Sequence, residues 1–134
     1  MSTKTIIKVC GLTQADEALT CVELGVQWLG FNCYQESKRY LPPEAIATIV
    51  KQLPPAIQTV GVFVNASAKE IEEILQQTGL HVAQLHGDES PDFAHALQVP
   101  WFRAFRVAGN LGGKPVALRG AQVRDLAVPV KLGV

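Results

Sequence analysis

The sequence predicts an α/β fold built on a parallel sheet, because short apolar runs alternate with segments of helical periodicity. Four strand–helix units and a fifth strand are predicted between residues 6 and 107. Alternation at this spacing is typical of βαβ units, in which each right-handed crossover returns the chain to a neighbouring strand. A complete β/α barrel has eight such units. The alternation stops near Val107, so the predicted units correspond to about half of a barrel.

The five predicted strands are short runs of apolar, β-branched and aromatic residues bounded by turn-forming or polar segments. They cover residues 6–9, 27–33, 57–64, 82–85 and 101–107. Runs of this length and composition are typical of strands that are buried on both faces of a parallel sheet.

Each of the four predicted helices has a start signal and a stop signal in the sequence. Thr13 with Asp16, and Ser67 with Glu70, have the spacing of a capping box, and proline suits a first helical turn. The predicted starts are Thr13, Pro42, Ser67 and Ser90, and the predicted ends are Gly25, Pro54, Gly79 and Leu97. Apolar residues at helical spacing inside these bounds predict one buried face per helix.

The segment after Val107 has a different character. Residues 108–134 are interrupted by glycine and proline and keep no sustained helical or strand period. We therefore divide the chain into residues 1–107, the N-terminal half of a β/α barrel, and residues 108–134, an atypical irregular tail. We interpret that tail as a truncated or frame-shifted ending.

The composition argues against nucleic acid and membranes as partners. Lys and Arg together number 12, and so do Asp and Glu, so no basic field would attract nucleic acid or an anionic membrane. The longest apolar runs have strand length, which predicts no membrane span. Three cysteines without a CxxC pair fit neither a zinc site nor a disulfide framework, and we expect reduced thiols in the cytoplasm.

Polar side chains with useful chemistry stand at the ends of the first and fourth predicted strands. Lys8 and Cys10 share one face of the first strand, and Gln84 and His86 share one face of the fourth. Open α/β sheets and β/α barrels keep their chemistry where strands end and loops begin. A nearby ammonium favours a thiolate, so Lys8 could make Cys10 a usable base or nucleophile. The alternatives are that Cys10 is a small buried hydrophobe and that His86 only forms structural hydrogen bonds.

Other polar positions are open to two interpretations. Arg39, in the loop after the second strand, offers a planar fork for a carboxylate or phosphate, or is a surface residue. Asn65 ends the third strand and either orients a loop or touches a ligand. We interpret Asp88 and Glu89 as solvated residues that lead into the next helix. Cys21 and Cys33 are expected to be structural.

Four motifs in order resemble the phosphoribosylanthranilate isomerase family of tryptophan biosynthesis. They are residues 8–13 (KVCGLT), 30–31 with 37–40 (GF, SKRY), 60–65 (VGVFVN) and 84–89 (QLHGDE). The resemblance implies a partial TIM (β/α)8 barrel, with about four βα units and a fifth strand. It also implies an isomerase that converts N-(5′-phosphoribosyl)anthranilate to 1-(2-carboxyphenylamino)-1-deoxyribulose 5-phosphate by an Amadori rearrangement, without cofactor or metal.

The resemblance implies roles for the matched positions. Cys10 would be the general base that removes the C2′ proton after the furanose ring opens to a Schiff base. Arg39 would hold the anthranilate end of the small phosphoribosyl substrate, and His86 would contact that substrate. Lys8, Asn65 and Gln84 complete the expected substrate-binding set.

The sequence departs from the family pattern in its last part. The family's general acid is an aspartate on a later strand, and Asp125, the one acidic residue of the tail, does not match its context. The family's Gly-rich phosphate-binding segments near strands seven and eight are not matched either. A half barrel would have open edges at strands one and five and an uncovered apolar inner face, which invites self-association. Two alternatives follow: an inactive half-barrel or interaction module that needs a separate C-terminal half, and another phosphosugar isomerase or epimerase.

Overall fold

The structure is a computed structural model that describes residues 6–104 of the 134. Its strands are β1 (Lys8–Val9), β2 (Trp28–Asn32), β3 (Gln58–Phe63), β4 (Val82–Leu85) and β5 (Trp101–Arg103), and its helices are α1 (Ala15–Glu23), α2 (Pro43–Val50), α3 (Ala68–Thr78) and α4 (Pro91–Ala96). The predicted elements are confirmed in type and order. The predicted last residues of the fifth strand and the predicted tail at 108–134 lie outside the described residues.

The five strands form one parallel sheet in the order β1-β2-β3-β4-β5. Each strand therefore pairs with the next one along the chain, which is the strand order of a β/α barrel. Because all strands run the same way, their carboxyl ends meet at one edge of the sheet.

The sheet is strongly curved. Lys8 Nζ on β1 lies 2.7 Å from Gln84 Oε1 on β4, although two strands separate them. In a flat sheet three interstrand spacings of about 4.8 Å would place these strands about 14 Å apart. The rings of Trp28 on β2 and Phe102 on β5 also approach to 6.1 Å between centroids. The described units therefore bend as a segment of a barrel wall bends.

Apolar side chains pack on both faces of this curved sheet. The larger cluster lies between the sheet and the helices and includes Phe31, Phe63 and Ile71. A second cluster on the inner face consists of Trp28, Val60, Val82 and Phe102, all at most 5% exposed. The expectation of an uncovered apolar inner face is therefore wrong at these four positions, since side chains from non-adjacent strands meet across the curve.

The starts of the helices follow the predicted signals in three of four cases. Ser67 Oγ accepts from Glu70 N at 3.1 Å, and Ser90 Oγ accepts from Phe93 N at 3.1 Å. Proline stands in the first turn of α2, as predicted. Thr13 was predicted to cap α1, but the N-cap is Gln14 and no side chain caps this helix. Thr13 lies one residue before the cap position, so that prediction is wrong.

The described helices are short. The longest, α3, has 11 residues, and none has the length and apolar character that a membrane crossing requires.

Candidate active site

Cys10 lies immediately after β1, at the edge where the parallel strands end. A Cβ atom added to Gly30 on β2 would lie only 2.8 Å from Cys10 Sγ, so the thiol occupies the space that a side chain at position 30 would fill. The backbone N–H groups of Gly11 and Leu12 both donate to Gly30 O, at 3.1 and 3.2 Å. Cys10 is exposed, and the turn that carries it is fixed against β2.

Arg39 lies beside this turn. Gly11 has φ +78°, and a Cβ atom there would lie 2.7 Å from Arg39 Cδ and 2.9 Å from Arg39 Nη1. The exposed Arg39 side chain therefore lies across the residue that follows Cys10. Ser37 Oγ accepts from Arg39 N at 3.2 Å and from Asn32 Nδ2 at 3.1 Å, which ties the loop to the end of β2. The structure brings Cys10 and Arg39 together.

Lys8 and Gln84 bind each other beneath the strand ends. Gln84 is 2% exposed, and its Oε1 accepts from Lys8 Nζ at 2.7 Å. Cys10 and His86 follow these residues by two positions, so the strand alternation places both on the inner face. The half-buried His86 donates its backbone N–H to Phe63 O at 2.9 Å. The lysine thus has a partner on β4, while the thiol and the imidazole extend from the ends of β1 and β4.

Asn65 ties two loops together. It has φ +53°, and its Oδ1 accepts from Asp88 N at 2.8 Å. A Cβ atom at Gly87 would lie 2.5 Å from the same Asn65 oxygen. The sequence left two roles open for Asn65, orienting a loop or touching a ligand. The hydrogen bond to Asp88 N supports the first role. Substrate contact by Asn65 remains a prediction.

The interpretation of Glu89 as a solvated residue is wrong, whereas Asp88 is exposed as expected. Glu89 is 8% exposed; its Oε2 accepts from Asn65 N at 2.8 Å and its Oε1 from Gly87 N at 2.9 Å. Arg103 Nη1 on β5 lies 3.6 Å from Glu89 Oε1. The sequence did contain one indication of this burial. Arg103 lies inside a predicted buried strand, and a charge there requires a partner.

Cys33 faces a different part of the molecule. It lines a cleft of about 210 Å³ beside Tyr40, Leu41, Glu70 and Ile74, away from the Cys10 turn. Burial and, as the smaller cause, the nearby carboxylate of Glu70 together raise the pKa of the Cys33 thiol to about 12. These surroundings suit the structural role expected for this thiol.

The two thiols are expected to differ in their reaction with iodoacetamide at pH 8. Because the thiolate is the nucleophile, a thiol with a pKa of about 12 stays protonated and reacts slowly, whereas the exposed Cys10 reacts first. Peptide mapping by mass spectrometry over time measures both rates in the same sample. Alkylation of Cys33 at the rate of Cys10 would contradict the described burial, and Cys10→Ser serves as the control that removes the fast reaction.

Within residues 6–104, no group of three or more His, Cys, Asp or Glu side chains is placed to hold a metal ion.

Known proteins match the chain over most of its length. The family model for N-(5′-phosphoribosyl)anthranilate (PRA) isomerase matches residues 7–128. The N-(5′-phosphoribosyl)anthranilate isomerase of Nitrosomonas eutropha is 43% identical over 105 residues, which are 78% of this chain and 50% of that protein. The chain thus spans about half the length of this curated relative.

Solved structures match with the same coverage. The phosphoribosyl anthranilate isomerase of Thermus thermophilus superposes with a TM-score of 0.76 at 36% identity, covering 78% of this chain and 54% of that one. A phosphoribosyl anthranilate isomerase in complex with reduced 1-(o-carboxyphenylamino)-1-deoxyribulose 5-phosphate superposes with a TM-score of 0.77 at 34% identity, covering 78% and 55%. The described units therefore correspond to part of the barrel in these enzymes.

Proposed function

Because the chain belongs to the N-(5′-phosphoribosyl)anthranilate isomerase family, we propose that it supplies the N-terminal half of an isomerase site. The reaction is the Amadori rearrangement of N-(5′-phosphoribosyl)anthranilate to 1-(2-carboxyphenylamino)-1-deoxyribulose 5-phosphate, a step of tryptophan biosynthesis. The observation that carries the proposal is the thiol of Cys10 packed over Gly30 with Arg39 beside it, at the carboxyl edge of the sheet.

In the proposed reaction Cys10 is the general base. After the furanose ring opens to a Schiff base, the thiolate removes the C2′ proton. The electrons of the C2′–H bond then form a C1′–C2′ double bond, and the electron pair of the C=N bond moves to the nitrogen. Removal of one proton by a positioned side chain typically accelerates a reaction about 10²–10⁴-fold. The proposal is supported by the exposure of Cys10 and by the fixed turn that holds it.

The remaining matched residues bind the substrate in this proposal. Arg39 holds the anthranilate carboxylate, because a planar guanidinium matches a carboxylate with two parallel hydrogen bonds. His86 contacts the substrate from the β4 side. Lys8 and Gln84 form the polar floor beneath it, and Asn65 shapes the loop that borders it. The solved relative in complex with reduced 1-(o-carboxyphenylamino)-1-deoxyribulose 5-phosphate supports a phosphoribosyl compound as the ligand.

The proposed general acid and the phosphate-binding loops come from the later strands of the family's barrel. Among the described residues, β1 and β5 each pair with one strand only, so both can accept a further strand. We propose that a C-terminal half completes the sheet there, and that without it the chain is an inactive half or self-associates through these edges. Family membership favours this isomerase over another phosphosugar isomerase or epimerase.

The setting proposed for this reaction is the cytoplasm, without a cofactor. All three cysteines are free, which suits a compartment that keeps thiols reduced. The Amadori chemistry requires only a base and an acid.

The test is turnover of N-(5′-phosphoribosyl)anthranilate, followed by the fluorescence of its anthranilate group. The purified chain is assayed alone and mixed with a C-terminal half barrel taken from the Thermus thermophilus relative. We expect turnover in the mixture and little in the chain alone. Sedimentation velocity reports whether the halves associate and whether the chain self-associates. An associated pair of halves without turnover would contradict the proposed function.

A further inference from the structure

The buried carboxylate of Glu89 connects three separate segments of the chain. Its side chain is only 2% exposed, and its two oxygens accept from the backbones of the β3–α3 and β4–α4 loops. A buried charge is costly unless hydrogen bonds and an opposite charge compensate it. Arg103 at the end of β5 supplies that charge. Such a residue holds its neighbours in one arrangement.

The peptide groups that flank His86 are fixed by this connection. Glu89 Oε1 accepts from Gly87 N, while Arg103 Nη2 donates to Gly87 O at 2.9 Å. Arg103 Nη1 also donates to the backbone oxygen of Glu89. On the β3 side, the backbone N–H of His86 donates to Phe63 O. The backbone before and after the imidazole is therefore held by β3 and by the Glu89–Arg103 pair.

We propose that Glu89 is a positioning residue for His86. Its carboxylate, braced by Arg103, holds the His86–Gly87 turn against the Asn65 turn and so directs the imidazole into the mouth of the site. The consequence for turnover rests on the proposed function, since that function gives His86 a substrate to contact. The consequence for the imidazole itself does not.

A carboxylate is required here because both groups facing it are N–H donors. Glutamine has the same shape but offers one oxygen and an NH2 group, so one backbone N–H would face a donor instead of an acceptor. The substitution also removes the negative charge 3.6 Å from Arg103. Glu89→Gln should therefore release one loop while keeping the volume of the side chain.

The experiment is a carbon–proton NMR spectrum of the three imidazoles in the full chain. In Glu89→Gln we expect the His86 cross peak to shift or broaden, while the peaks of His81 and His95 stay in place. Asp92→Asn, an equivalent change at an exposed carboxylate in α4, is the matched control and should leave the His86 peak in place. A folded Glu89→Gln protein with an unmoved His86 peak would overturn the proposal.

A second variant decides the question if Glu89→Gln does not fold. Arg103→Lys keeps the positive charge that compensates Glu89, but loses the planar fork that donates to Gly87 O and to the backbone oxygen of Glu89 at once. It should also move the His86 peak, and an unmoved peak in this folded variant would overturn the proposal.

Turnover by the associated halves separates this proposal from the proposed function. We expect kcat/KM to fall about 10²-fold in Glu89→Gln, as for a misplacement of about 1 Å. A moved His86 peak in a pair of halves without any turnover would support the positioning and refute the function. Normal turnover in Glu89→Gln with an unmoved peak would support the function and refute the positioning.

Discussion

Replacing Cys10 with alanine is expected to lower kcat for the proposed isomerisation by about 10²–10⁴-fold, with KM nearly unchanged. The thiol is the group that would remove the C2′ proton, whereas the bound substrate is held mainly by other side chains. The loss leaves no space conflict, because Cys10 is exposed and lies above a glycine. The measurement is steady-state turnover by the chain associated with a C-terminal half barrel.

Arg39→Ala gives the contrasting result that makes this prediction specific. Removal of a group that holds the anthranilate carboxylate in both ground state and transition state raises KM and leaves kcat similar. Far-ultraviolet circular dichroism of both variants confirms that the fold is kept. Turnover retained by Cys10→Ala would eliminate this thiol as the base, and an unchanged KM in Arg39→Ala would eliminate the carboxylate-binding role.

Replacing Ile71 with alanine is expected to lower the free energy of unfolding by about 2–5 kcal/mol. Ile71 lies on α3, is completely buried and packs in the cluster between the sheet and the helices. The loss combines the burial of the removed methyl and methylene groups with the cavity left behind. A small domain has a total stability of about 5–15 kcal/mol, so this one change removes a large part of it. Urea unfolding followed by tryptophan fluorescence measures it.

Glu73→Ala on the same helix is the matched control. Its carboxylate lies 3.8 Å from Lys69 Nζ in an exposed pair, and such pairs contribute about 0–1 kcal/mol. The control should therefore unfold near the urea concentration of the parent chain. Equal losses in the two variants would show that α3 does not pack on the sheet as described.

The order of the elements could be predicted because strands and helices leave different periodicities in the sequence. Local signals also located Ser67 and Ser90, whose hydroxyls bind amides only three residues away. The same kind of signal was misleading at Thr13, because a cap depends on which residue leaves the helical dihedral angles, and that residue is Gln14.

Contacts between distant residues could not be predicted in the same way. Glu89 is buried because it meets Asn65, 24 positions earlier in the chain, and Arg103, 14 positions later. The residues next to Glu89 in the sequence do not indicate that Asn65 and Arg103 are its partners. The proximity of Arg39 to the Cys10 turn likewise depends on the path of the β2–α2 loop over Gly11. Both results depend on the curvature and register of the whole sheet.

The hydrogen bond between Lys8 and Gln84 has a consequence for assembly. It joins side chains of the first and fourth strands, so the described strands already follow an arc within residues 6–104. A C-terminal half that completes the sheet would therefore have to fit the edges of a curved sheet rather than those of a flat one. Chimaeras that exchange C-terminal halves between relatives should therefore succeed or fail according to how well the edges of the incoming half fit this arc.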